Sequence, residues 1–148
     1  MLMKKFSFPA RTAACAWVLG FGLLAAGEAE LSFDEAWIRP LPPGMKMTAG
    51  FGQLRNLGPV TLELTSFASP EFGDVSLHRT EIVDGMSRMR EVPSLSIAPG
   101  ETVELAPGGY HLMLMMPTGP ISPEQSITVH ITAGEGRDYR FELPVERR

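Results

Sequence analysis

One cysteine occurs in the 148 residues, Cys15, at the front of an N-terminal apolar run. Beyond it the chain has no thiol. That excludes disulfides, thiolate catalysis, cysteine-held zinc and the cysteine-ligated blue-copper site. A lipoprotein cysteine follows its apolar region, and Cys15 precedes most of it, so lipidation at this residue is not expected. Histidine is also scarce, at His78, His111 and His130, and neither His-x-x-x-His nor His-Glu-x-x-His occurs. No Ser, Cys or carboxylate sits in a nucleophile motif, and no Gly-rich loop opens a helix. Lys and Arg never run beyond two adjacent residues and the formal charge is -4, so a nucleic-acid partner is not expected. Long apolar runs are missing too. The uncharged stretch Ala13 to Ala26 has 14 residues, short of the roughly 20 that span a bilayer.

The N-terminus combines Lys4, Lys5 and Arg11 with that short apolar stretch and the small-residue site Gly27-Glu28-Ala29. This is the layout of a secretory signal peptide over residues 1–29, followed by one domain over residues 30–148. No stable membrane insertion is expected after cleavage. Without residues 1–29 the chain carries 10 basic and 16 acidic side chains, a balance of -6.

Gly 15 and Pro 13 approach a fifth of the residues, which favours short strands joined by turns. Strand patterns appear in EAWIRP, MTAGFGQLRN, VTLELTSFAS, DVSLHRTEIV, MSRMREV, ETVELAP, GGYHLMLMM, SITVHITA and YRFELPV. Asp84-Gly85 reads as a type I′ hairpin turn that sets Thr80 opposite Met89 and Glu81 opposite Arg88 in a charge pair. Eight or nine strands without a convincing helix predict an all-β Greek-key β-sandwich.

Within this frame two His–Met pairs stand out. His111 and Met113 share a strand face with Cα atoms ~6.7 Å apart. Leu112, Leu114 and Met116 are expected to face the core, leaving His111, Met113 and Met115 outside. His78 and Met89 become diagonal neighbours ~7–8 Å apart across the hairpin. An imidazole nitrogen and a thioether sulfur can converge on one soft ion from such positions. Methionine is equally a core filler, and a histidine on a strand is equally a structural residue. Met86, Met115, Met116 and His130 are read as structural, and Met45 and Met47 as auxiliary sulfurs at most.

The order His78, ten residues, Met89, twenty-one residues, His111-x-Met113 resembles the His-x10-Met-x21-His-x-Met signature of the periplasmic PCuAC copper chaperones. AWIRPLPPG, GFGQLRNLG, MSRMREV and APGGYHLMLM are similar to further stretches of that family, so the resemblance covers about residues 35–145. Thr80 and Glu91 depart from common family residues, outside the four signature positions. The resemblance implies a cupredoxin-like fold and one Cu(I) per chain, held by His78, Met89, His111 and Met113. It further implies a periplasmic chaperone, not an enzyme, that delivers copper to a cytochrome c oxidase subunit or assembly factor. The competing expectation is an exported β-sandwich that binds proteins and no metal.

Overall fold

Alternation of apolar and polar side chains gives the chain its strands, and the computed structural model, which describes residues 30–148, contains ten. In order they are β1 Leu31–Ile38, β2 Met47–Asn56, β3 Leu62–Ala68, β4 Phe72–Val83 and β5 Met86–Glu91. There follow β6 Leu95–Ile97, β7 Thr102–Leu105, β8 Tyr110–Pro117, β9 Ser126–Ala133 and β10 Arg137–Pro144. The expected signal peptide, Cys15 included, lies outside the described residues. Among the described residues no helix is long and apolar enough to cross a membrane.

Hydrogen-bonded neighbours run β1-β2-β7-β8-β4-β3-β9-β10, with β5 beside β4 and β6 beside β3. Consecutive strands such as β2 and β3 are therefore separated, as a Greek-key sandwich requires. The ends of this path meet: Ile38 and Val145 form a parallel bridge, and the Glu146 N–H donates to the Ile38 carbonyl at 3.0 Å. The sheet thus folds over and closes around a core that includes Leu54, Leu64, Leu77, Leu112, Leu114 and Ile131, all fully buried.

Two local devices shape the first half. Gly52 has φ +150°, and a Cβ there would sit 2.7 Å from Phe33 Cε2 and 2.8 Å from the Ala36 Cα. Opposite it the β1 register slips between Asp34 and Trp37, a bulge that needs this close approach. Asn56 ends β2 fully buried, donating to the carbonyls of Val60 (2.7 Å) and Ile97 (2.9 Å) and accepting from the Gly58 N–H (2.9 Å).

Several expectations need adjustment. β1 begins at Leu31, ahead of the EAWIRP segment, and β6 is an additional strand. Three residues carry too little alternation to announce a strand; β6 exists because β3 pairs with it. The hairpin register is as expected, with Thr80 opposite Met89 and positive φ at Asp84 and Gly85. Glu81, however, forms its ion pair with Arg90 (3.5 Å), one diagonal step from Arg88. Met116 is exposed rather than in the core. Its φ of +56° breaks the alternation of β8, and its N–H turns to the Lys46 carbonyl at 2.9 Å.

Candidate metal centre

β8 lies between β2 and β4, and its alternation decides which side chains share a face. Leu112 and Leu114 point into the core. On the opposite face His111 stands across from His78, and Met113 lies between Ser76 of β4 and Ala49 of β2. Met115 lies between Asp74 and Met47. The hairpin extends this face to β5, where Met89 opposite Thr80 is the diagonal neighbour of His78. One surface therefore carries all four signature side chains.

His111 is expected on an outer face, and the structure buries it there, at 4% exposure. The same face borders a cleft of about 340 Å³ lined by Pro42, Met45 and Met47 from the β1–β2 connection and β2, and by Thr80, Met89, Pro107 and Gly108 from β4, β5 and the β7–β8 turn. His111 and Met113 also line it. The β7–β8 connection is a tight turn in which the Gly109 N–H donates to the Ala106 carbonyl at 3.0 Å. Pro107 followed by Gly108 at φ +86° has the residue pattern of a type II turn. This turn aims the Gly109 carbonyl back at the strands. There it accepts from the Thr80 N–H (3.1 Å) and lies 3.2 Å from His111 Nδ1.

A carbonyl can only accept, so Nδ1 carries the proton and donates, and Nε2 of a neutral ring is left with its lone pair. That Nε2 is buried and, among the described residues, has no hydrogen-bond partner. A buried acceptor without a partner is unfavourable in a folded protein unless something else uses it. A metal ligand whose other nitrogen is fixed by a carbonyl has this arrangement.

His78 is placed differently. Its ring stacks on that of His111, with centroids 6.0 Å apart and planes 25° apart, and it is not part of the cleft lining. Its Nε2 shares a hydrogen bond with the Ser76 hydroxyl at 2.9 Å. The structure therefore gathers His111, Met113 and Met89 around one space and holds His78 against His111. Among the described residues no three His, Cys, Asp or Glu side chains converge as a metal site. His130 is remote, on β9, with its Nδ1 3.4 Å from Asp138 Oδ2.

Reading strand patterns leaves Met45 and Met47 as auxiliaries, yet both line the cleft. The Pro-Pro-Gly turn before them is the signal that could have placed them, because it folds the β1–β2 connection over β8. Arg39 and Phe51 also reach the cleft, the guanidinium lying 5.2 Å from the Phe51 ring centre.

Residues 31–145 match the family described as "Putative lipoprotein LpqE-like". A protein of Leifsonia xyli subsp. xyli, likewise named a lipoprotein, is 34% identical over 114 residues, which span 76% of this chain and 68% of that protein. Among solved structures, Cu(I)-bound DR1885 from Deinococcus radiodurans is 27% identical with a TM-score of 0.64, over 83% of this chain and 84% of that one. The copper-bound PCuAC domain from PmoF2 is 16% identical with a TM-score of 0.66, over 81% of this chain and 95% of that domain, a likeness of fold alone.

Proposed function

The chain belongs to the LpqE-like family and shares its fold with PCuAC domains, and from that premise we propose that it is an exported Cu(I) metallochaperone. One Cu(I) per chain is held by His78, Met89, His111 and Met113. The observation that carries this reading is the buried, unpartnered Nε2 of His111 beside the Met113 and Met89 that share its cleft. The signature spacing, the shared face and the copper-bound relatives support the same assignment.

Two imidazoles and two thioethers are neutral ligands, so the bound site keeps the single charge of Cu(I). Thioether sulfur is soft and prefers Cu(I) to Zn²⁺, Mg²⁺ or Ca²⁺. His78 joins by exchanging its Ser76 hydrogen bond for the metal or by using its other ring nitrogen. Release proceeds by stepwise exchange, in which stronger ligands of an acceptor protein, thiolates for example, replace the thioethers. The acceptor is a cytochrome c oxidase subunit or one of its assembly factors. The role is binding and transfer, with no chemical bond of a substrate made or broken. Export is supported by the leader-like N-terminus and by relatives named as lipoproteins.

Titration with Cu(I) under reducing conditions tests the reading. About one equivalent per chain is expected, with loss of high-affinity binding in His111→Ala and Met113→Ala. Failure to retain copper would leave an exported interaction module in its place.

A further inference from the structure

Met45 and Met47 are 50% and 47% exposed, and across the same cleft Met89 is 61% exposed. Methionine on a surface has an unpartnered apolar side chain, and three on the walls of one cleft call for a use. Their backbone is not loose. The Met45 N–H donates to the Pro42 carbonyl at 3.0 Å, closing a turn with Gly44 at φ +79°. The Lys46 carbonyl accepts from the Met116 N–H at 2.9 Å, and Met47 pairs with Met115 on β8. At the base of the loop the Arg39 N–H donates to the Ala49 carbonyl (2.9 Å), and the Thr48 hydroxyl donates to the Arg39 carbonyl (2.6 Å). Both sulfurs thus hang from a clamped excursion of the chain over the wall that faces Met89.

The donor chemistry of the cleft is one-sided. Among the described residues its lining includes four thioethers (Met45, Met47, Met89 and Met113) and the imidazole of His111, and no carboxylate or thiol. Among the described residues the one formal charge in the lining is the Arg39 guanidinium, which gives a cation no electrostatic attraction. Such a lining admits a soft monovalent ion and offers Met45 and Met47 only neutral sulfur with which to hold one.

We infer that Met45 and Met47 form a transient thioether station at the cleft mouth, through which Cu(I) enters and leaves the His78–Met89–His111–Met113 site. The inference rests on the Cu(I) reading of that site. Each exchange breaks one copper–ligand bond as a copper–sulfur bond to Met45 or Met47 forms. Copper stays Cu(I) throughout, and the incoming thioether neither gives up nor takes a proton. An ion partly released by the imidazoles stays covered by sulfur instead of meeting water. Such a station lowers the barrier in both directions and leaves the equilibrium between bound and free metal unchanged.

The test compares the full protein with the double variant Met45→Leu/Met47→Leu, which keeps apolar side chains of similar volume. Uptake of Cu(I) under reducing conditions and its removal by bathocuproine disulfonate are followed by stopped flow. Equilibrium affinity is measured by competition with the same chelator. The expected result is that uptake and release both slow by about tenfold while affinity stays within about twofold. Met86→Leu, exposed on the other face of β5, should leave both rates unchanged. Unchanged rates in the double variant overturn the station and leave the metal site standing. Faster release with weakened affinity also overturns it, by making Met45 and Met47 resident ligands. Absence of Cu(I) binding by the unsubstituted protein removes the metal site itself and the station with it.

Discussion

Replacing His111 by leucine should make the metal-free protein more stable, the reverse of what most substitutions at a buried position do. Single substitutions commonly destabilise by about 0.5–3 kcal/mol. Here the unpartnered Nε2 already burdens the folded state by about 1–3 kcal/mol, the usual cost of a buried polar group without a hydrogen bond. Leucine removes that burden and also loses the Nδ1–H bond to Gly109, worth about 1 kcal/mol. The Gly109 carbonyl is not orphaned, since it still accepts from the Thr80 N–H. Leucine also adds apolar contact in a position that is already covered. The balance favours the apo variant by about 1 kcal/mol, which raises the melting temperature of a domain this size by about 3–6 °C. Cu(I) loading should then separate the two proteins. A hundredfold excess of ligand over its dissociation constant stabilises the unsubstituted protein by about 2.7 kcal/mol, and the variant should gain little. Paired thermal melts with and without Cu(I) measure both effects. An apo variant less stable by more than about 1 kcal/mol would refute the reasoning, by showing that Nε2 is satisfied before metal arrives.

Further predictions concern ligand, acidity and scaffold. Met113→Ala and Met89→Ala should each weaken Cu(I) affinity by more than about tenfold, whereas Met115→Ala, on the same face, should leave it nearly intact; competition titrations against a chelator decide. Protons compete with copper for imidazole and not for thioether, so affinity should fall from about pH 8 to about pH 5, and a flat profile would argue against histidine ligation. Asn56→Ala should destabilise by about 2–4 kcal/mol in urea denaturation, because it strips three hydrogen bonds at a buried site, yet Cu(I) affinity should not change. Burial, then the Glu30 carboxylate beside it, holds the Tyr139 phenol above its ordinary value, partly offset by Arg137. The native state keeps that proton more tightly than the unfolded chain, so this contribution is complete below the ordinary tyrosine range and is lost as pH rises through the raised value. Ultraviolet titration should show Tyr139 ionising late, and Glu30→Gln should bring it earlier.

The parts of this molecule that follow from near neighbours in the chain are legible in the amino-acid sequence. The Asp84-Gly85 turn dictates the register of β4 and β5, and with it the Thr80–Met89 alignment. Strand alternation puts His111 and Met113 on one face. What resists reading depends on contacts distant in sequence. β6 is three residues whose strand character comes from β3. The outward turn of Met116 depends on a backbone reversal and on the Lys46 carbonyl, seventy residues earlier. The cleft beside His111 has the same origin, because periodicity identifies its face while Pro42, Met45 and Met47 come to the lining from another part of the chain. The facing of His78 and His111 likewise needs the β4–β8 pairing, which the spacing of the two residues does not specify. Closure through Ile38 and Val145 joins opposite ends of the domain and leaves no local trace.

Among the described residues β5 is held in the sheet by a single partner strand, and every one of its residues is exposed. Segments with few buried contacts open at far lower free energy than the whole domain, and their amides exchange with solvent accordingly. In the proposed site Met89 therefore rides on an exposed, singly paired strand, while His111 and Met113 sit on β8, flanked by β2 and β4. Part of the binding free energy must go into stilling the hairpin, so the amides of β5 should become protected from hydrogen exchange when Cu(I) binds. Under the proposed function the same asymmetry would order the surrender of ligands. Fraying of β5 would withdraw Met89 without disturbing the core, and a partner that captured the loosened hairpin would take copper from a fold that never has to open.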